Sequence, residues 1–225
     1  MTDETFGSVL KRFAAATPDA AAVSYGGDSL NWRELDARSD ARAVQLLEAG
    51  VICDDLVAIT LSNGTAHHEW AFGAWKAGAT PCILPYRLPA SEFAELVLLA
   101  APRVIIGSPR LPLTGVNLFT GDAPLLPGVR VPVDCPPASN WKAVASGGST
   151  GRPKLIVDHG SPCLSARINH MIDLIGMPRG GIILNAGPLY HNAPFLFCSL
   201  ALVSGNRVVG MERFDPEKWL QLVES

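Results

Sequence analysis

The stretch LVAITLSNGTAHHEWAFGAWKAGATPCIL, residues 56–84, decides the fold. Residues 56–61 form an apolar and β-branched run, as required of a strand covered on both faces in a parallel sheet. Ser62, Asn63 and Gly64 interrupt it with turn chemistry, and the helix predicted over about 65–77 is closed by Gly78. A second strand follows at 80–84. Strand, helix and strand in that order make a crossover unit, and repetition of the unit specifies an α/β layered sheet with flanking helices.

The alternation extends in both directions. Upstream, residues 21–25 read as a strand, 26–28 as a tight turn and 29–30 as its return. Asn31 caps a helix in a capping-box arrangement with Glu34, Ala37, Ala41, Val44 and Leu47 follow at helical spacing, and Gly50 sits at a left-handed C-cap. Downstream come a helix over 91–100 and a strand over 103–107. The pattern then breaks: seven prolines fall within 108–139 with no helical period, an irregular connection with an isolated strand inside it. Order resumes with a strand at 141–145 and a second apolar strand at 155–157. Ser161 is expected to cap a helix running to about Ile175. A buried strand over 181–186, a buried helix over 194–203 and a strand over 207–209 follow. Asp215 and Pro216 start a last helix that is still running at Ser225. The expected division is a first α/β subdomain over 1–139, including the Pro-rich connection 108–139, and the start of a second over 140–225.

Composition narrows the function. The chain has 225 residues, 18 Lys and Arg against 21 Asp and Glu, a net charge of −3, and 17% charged residues against a usual share of about 25%. With 48% hydrophobic residues it has ample material for a core, which excludes a disordered chain. Without a basic excess it is not a nucleic-acid binder working by bulk charge. The five cysteines (53, 82, 135, 163, 198) contain no C-x-x-C pair, so free thiols are expected, and no histidine has a partner at metal-ligand spacing. No metal site of protein ligands is therefore expected, and His67 and His68 are expected on a helix surface. The N-terminal MTDETFGSVL lacks a basic region followed by an apolar core, and no apolar run is long enough to span a bilayer, so a cytoplasmic protein is expected.

The chemistry concentrates in SGGSTGRPK, residues 146–154. Gly147, Gly148 and Gly151 permit backbone angles closed to other residues, so successive N–H groups can converge on an anion. Ser146, Ser149, Thr150 and Lys154 add donors, and nothing in the loop is acidic. The expected ligand is a phosphate chain. A Walker A loop would run directly into a helix. Here Pro153 pushes Arg152 toward extended geometry and the β-branched pair at 156–157 argues for a strand, so the arrangement reads strand–loop–strand. The plain alternative is a Gly/Ser-rich hairpin turn; the order S-G-G-S-T-G-x-P-K between two apolar strands favours phosphate binding.

That loop closely resembles the signature loop of the adenylate-forming family: acyl- and aryl-CoA synthetases, luciferase and the adenylation domains of peptide synthetases. Other segments are similar in order: residues 19–23 and 30–36 to the family's opening, Leu61-Ser62-Asn63 with Lys76-Ala77-Gly78-Ala79 to its "lpNs…kaGa" segment, and Leu189-Tyr190-His191 to its second core motif. The resemblance implies a ligase in which a carboxylate attacks the α-phosphate of MgATP, giving an acyl-adenylate and pyrophosphate, before a thiol, usually that of coenzyme A, displaces AMP. It implies that Ser149, Thr150, Gly151 and Lys154 cradle the β- and γ-phosphates, within a phosphate-binding loop that also includes Ser146, Gly147 and Gly148. It also implies that His191 stands near the α-phosphate and the acyl carboxylate, with Tyr190, Asn192 and Phe195 toward the acyl pocket.

Members of that family are more than twice as long. The Mg²⁺ ligand, the ribose-binding aspartate and the C-terminal lid with its lysine are expected in a C-terminal part, so the chain resembles the N-terminal portion of such an enzyme and is expected to be inactive alone. A fatty or steroid-like acyl substrate is expected, and a homo-oligomer is left open. The competing readings are an aryl- or amino-acid adenylation domain, and a non-catalytic nucleotide-binding or interaction module.

Overall fold

The computed structural model describes residues 3–107, 116–125, 128, 135–146 and 153–224. The chain begins α1 (Phe6–Ala16), β1 (Ala21–Tyr25), β2 (Asp28–Asn31), α2 (Trp32–Glu48), β3 (Leu56–Thr60), α3 (Thr65–Lys76), β4 (Thr80–Ile83), α4 (Ala90–Ala100) and β5 (Val104–Gly107). It continues β6 (Asn117–Phe119), β7 (Asn140–Ser146), β8 (Lys154–His159), α5 (Ala166–Leu174), β9 (Ile182–Asn185), α6 (Asn192–Val203), β10 (Arg207–Gly210) and α7 (Pro216–Glu224). These elements fall into two units: Met1–Asp36, Ser62–Thr65 and Cys163–Ser225 in the first, Ala37–Leu61 and Ala66–Pro162 in the second.

The first unit is built on a sheet ordered β2-β1-β10-β9. β1, β10 and β9 run parallel, with Val23 opposite Val208 and Val208 opposite Ile183, while β2 folds back antiparallel on β1. Gly26, at φ +59°, makes that return. A methyl at Gly210 would overlap the Tyr25 ring, so the parallel pair can close only with glycine there. α1 is not anticipated by the sequence reading. Thr5 caps it by accepting from the Ser8 N–H at 3.1 Å, and Phe6, Val9 and Leu10 are buried from it.

The helix cap and the strand β9 differ from expectation. α5 is capped by Ser165, whose hydroxyl accepts from the Ile168 N–H at 3.3 Å. Ser161 instead donates to the Ala138 carbonyl in the second unit at 2.8 Å. β9 is an edge strand with Ile182 64% exposed and only Asn185 buried, because among the described residues only β10 pairs with it.

The second unit carries the six-stranded sheet β6-β5-β3-β4-β7-β8. Neighbours are parallel except β7 and β8. β3, α3 and β4 form the predicted crossover, with Leu56 opposite Thr80 and Ile59 opposite Ile83. β3, β4 and β5 are buried almost throughout, as the apolar runs require. Ala58, Cys82, Phe93, Leu96 and Ile105 form a core cluster beneath α4. β6, the strand expected in the Pro-rich stretch, extends the sheet beyond β5. Because Cys82 of β4 pairs with Ala143 of β7, the hairpin β7–β8 belongs to the same sheet as β3, on the other side of the division expected at 139/140.

α3 is buried from His67 to Trp75. His67 and His68 were expected on its surface, yet both are 2% exposed or less. A helix covered on all sides needs no polar face, and Glu69 and Trp70 are held instead by specific partners. Glu69 accepts from Arg42 at 3.2 and 3.3 Å and from Arg38 at 3.1 Å. Arg42 also donates to the Ala123 carbonyl at 2.6 Å, and the Trp70 indole N–H donates to the Gly121 carbonyl at 3.1 Å. These bonds fasten residues 121–123, inside the Pro-rich connection, onto α2 and α3.

Candidate active site

Of the candidate phosphate-loop residues, Ser146 and Lys154 stand at the loop end of the β7–β8 hairpin in the second unit. The ladder runs from Asn140 opposite His159 to Ser146 opposite Lys154. Pro153 is followed by a strand and not by a helix, as its chemistry predicts. β7 is buried between β4 and β8, but the apolar strand β8 is itself not buried: among the described residues it is the sheet edge, with Lys154 and Ile156 exposed. An edge strand has a single ladder partner, so only alternate side chains find cover, and a lysine there discourages further pairing.

Charge along the ladder is matched up to its open end. The buried Lys142 ammonium meets the Asp158 carboxylate at 3.1 Å, and His159 Nδ1 lies 2.8 Å from Asn140 Oδ1. Ser146 and Lys154 are direct cross-strand partners, so hydroxyl and ammonium project from the same face of the hairpin mouth. Among the described residues no carboxylate pairs with Lys154. Gly147, Gly148, Ser149, Thr150 and Gly151 lie outside the described residues.

The second group of candidates lies in the first unit, on the turn from β9 to α6. The His191 N–H donates to the Pro188 carbonyl at 3.0 Å, and the Phe195 N–H donates to the His191 carbonyl at 3.2 Å, opening the helix. His191 is therefore the N-cap residue of α6, with φ −94° and ψ 149°, although its imidazole makes no capping bond. Pro194 fits the first turn because an N–H there has no intrahelical acceptor. His191 and Asn192 are exposed, Tyr190 is half-buried, and the Tyr190 and His191 rings lie 4.6 Å apart. The positive end of the helix dipole lies at His191, and no acidic residue occupies the first turn.

Beside this turn is a cleft of about 360 Å³, lined by Met177, Ile183, Asn185, Pro194, Phe197 and Cys198 among others. Phe195, expected toward the acyl pocket, is 1% exposed and belongs to the core of its unit, whereas Phe197 lines the cleft. The sequence reading missed Asn185; Phe197 belongs to the apolar 194–203 helix, which the sequence offers as one wall of a pocket, and it shares a helical face with Ala193, Pro194 and Cys198. Behind the cleft the Tyr25 hydroxyl meets the Asn185 and Cys198 side chains. Burial, reinforced by Cys198, pushes the Tyr25 phenol well above its ordinary range, and burial pushes the Cys198 thiol up to about 12. Both stay neutral at physiological pH, so the cleft floor offers neither thiolate nor phenolate.

Among the described residues no group of three or more His, Cys, Asp or Glu side chains could hold a metal ion, and no helix is long and apolar enough to cross a membrane.

Comparison with known proteins follows the same lines. Feruloyl-CoA synthase from an Amycolatopsis species is 31% identical over 237 residues, spanning 100% of this chain and 47% of that protein. The 2,3-dihydroxybenzoate-AMP ligase of Bacillus subtilis is 27% identical, spanning 98% of this chain and 46% of the relative. The chain thus spans about half the length of the curated relatives it matches. Among solved structures, a protein described as a long-chain-fatty-acid CoA ligase from Rhodopseudomonas palustris superposes with a TM-score of 0.85 at 23% identity, covering 99% of this chain and 61% of the other. O-succinylbenzoate coenzyme A synthetase of Bacillus subtilis, solved with ATP and magnesium, gives 0.81 at 18% identity, covering 99% and 61%. These likenesses show that the fold is that of N-terminal domains of adenylate-forming enzymes. The family model described as AMP-binding enzyme matches residues 10–225, and the chain belongs to that family.

Proposed function

We propose that this chain supplies the ATP-gripping part of an acid–thiol ligase. A carboxylate attacks the α-phosphate of ATP, pyrophosphate leaves, and the acyl-adenylate is passed to a thiol such as that of coenzyme A. The observation that carries this reading is the hairpin mouth, where Ser146 and Lys154 face each other across the ends of a glycine- and hydroxyl-rich loop. The chemical difficulty of the first step is bringing a carboxylate against a polyphosphate, and fixed donors that shield and align the charges lower that barrier. Ser146, Lys154 and the loop residues Gly147, Gly148, Ser149, Thr150 and Gly151 would hold the β- and γ-phosphates. His191, at the positive end of α6, would donate to the α-phosphate or the acyl carboxylate. Magnesium would enter with ATP, its protein ligand being expected in the C-terminal part of such an enzyme. ATP and coenzyme A as substrates fit a cytoplasmic location.

A fatty or steroid-like acid follows from the apolar character of α6. An aryl acid is favoured by a specific observation: the relatives include feruloyl-CoA synthase, a 2,3-dihydroxybenzoate-AMP ligase and a salicylyl-CoA synthase. The cleft of about 360 Å³ has a neutral floor and is near the lower end of ligand-pocket sizes, as suits one substituted ring. The test is binding of hydrolysis-resistant acyl-adenylate analogues carrying an aryl, a long aliphatic or an aminoacyl group. The expected order is aryl tightest. Failure of all three to bind would refute the adenylation reading, and a preference for the aliphatic analogue would restore the fatty acid.

A further inference from the structure

Asn63 was read from the sequence as part of a turn. In the structure it does more. Ser62–Thr65 belongs to the first unit, and there the Asn63 side chain is buried against three main-chain groups distant in sequence. Its amide nitrogen donates to the Gly187 carbonyl at 3.0 Å and to the Met211 carbonyl at 2.8 Å. Its amide oxygen accepts from the Leu189 N–H at 2.7 Å. One primary amide thus ties the exit of β9 to the exit of β10. The Gly187 peptide is gripped from the other side by Asn185, which donates to its carbonyl at 3.0 Å and accepts from its N–H at 3.2 Å. The next bond along the turn is that of the His191 N–H to Pro188.

We propose that Asn63 is the positioning residue for His191: its two donors and one acceptor set the 187–191 turn, and through that turn the imidazole. The role of His191 itself rests on the ligase reading, but the hold of Asn63 on the turn does not. The geometry demands an amide. Alanine removes the donor to the Met211 carbonyl and the acceptor of the Leu189 N–H, and leaves the Gly187 carbonyl to Asn185 alone. Aspartate keeps the shape and the acceptor but sets a carboxylate against the carbonyls of Gly187 and Met211. That contact favours the protonated acid, which regains one donor.

The test is amide hydrogen exchange across residues 186–195, with the His191 ring signal followed by NMR, in wild type, Asn63→Ala and Asn63→Asp. Exchange at Leu189 and His191 is expected to quicken by at least about tenfold in both variants at neutral pH, while β1 and the β3–β4 core are unchanged. In Asn63→Asp, and not in Asn63→Ala, protection should return as the pH falls and the new acid is protonated. A purely steric role would not produce that pH-dependent rescue. If Asn63→Ala fails to fold, the comparison of Asn63→Asp at acidic and neutral pH carries the same information. Unchanged exchange over 187–191, or loss spread evenly over both sheets, overturns the proposal. Adding ATP separates this from the ligase reading: a wild-type His191 signal indifferent to ATP removes the histidine from the chemistry and leaves the hold of Asn63 standing.

Discussion

α3 and the β7–β8 hairpin are both rich in polar and titratable side chains, yet they treat them in opposite ways. In α3 every described polar group is enclosed. Glu69 has two arginines, Arg42 is bonded to Glu69, Gln45 and the Ala123 carbonyl, and His67 and His68 are sealed from water. In the hairpin, Lys142 and Asp158 are paired, but the ladder ends on an exposed lysine beside a serine. Polar groups satisfied within the fold contribute stability and specify packing. A cation left exposed at the mouth of a glycine-rich loop is available to a ligand. Substitutions in α3 should therefore cost folding free energy, whereas those at the hairpin mouth should cost binding.

The comparison is tested most severely at Arg42. Arg42→Ala leaves the buried Glu69 carboxylate to Arg38 alone and takes the donor from the Ala123 carbonyl, and should lower stability by about 4 kcal/mol in denaturant unfolding. A loss under ~1 kcal/mol would mean the network is ornamental.

Acid should come next. Burial lowers His67 to about 4 and His68 to about 3, so between those values and the ordinary 6.5 the unfolded chain binds protons that the folded chain refuses. Stability is then complete above about pH 6.5 and falls as the pH drops toward 4, by on the order of 3 kcal/mol per histidine. Melting curves across that range should show the decline, and His68→Leu should flatten its slope. A melting temperature independent of pH over the same interval would count against burial of the pair.

Within the hairpin, Asp158→Asn removes the carboxylate 3.1 Å from the buried Lys142 ammonium and should cost about 2 kcal/mol, read from the unfolding midpoint. Lys154→Ala, a few residues away on the same strand, should shift stability by no more than about 0.5 kcal/mol. Equal destabilisation by the two would erase the distinction between the paired ladder and its open end.

Much of this contrast was hidden from the sequence, for a physical reason. The β3–α3–β4 crossover is written locally, in an apolar run, a turn and a closing glycine at φ +75°. The strand–loop–strand form of residues 146–154 is equally local, since Pro153 excludes a helix start of the Walker kind. Whether a strand is central or at an edge depends on partners far along the chain. The pairing of Cys82 with Ala143, and the edge positions of β8 and β9, therefore left no local mark. His67 and His68 were misplaced because residue type suggested the surface, whereas the packing around α3 decided otherwise. α1 was legible in its Thr5 cap and the spacing of Phe6, Val9 and Leu10, and was overlooked. At the site, the motif pointed to Ser146, Lys154 and His191, but it could not show that Asn63 holds the turn before His191, because that depends on three main-chain groups more than a hundred residues away.

The central claim is that the hairpin mouth grips the phosphate chain of ATP. Calorimetric titration of ATP into wild-type protein and into Lys154→Ala tests it most directly. The account predicts at least about tenfold weaker binding by the variant at an unchanged unfolding midpoint, since a charge-assisted bond to phosphate is lost while no internal contact is. Equal affinity in the two proteins would contradict it.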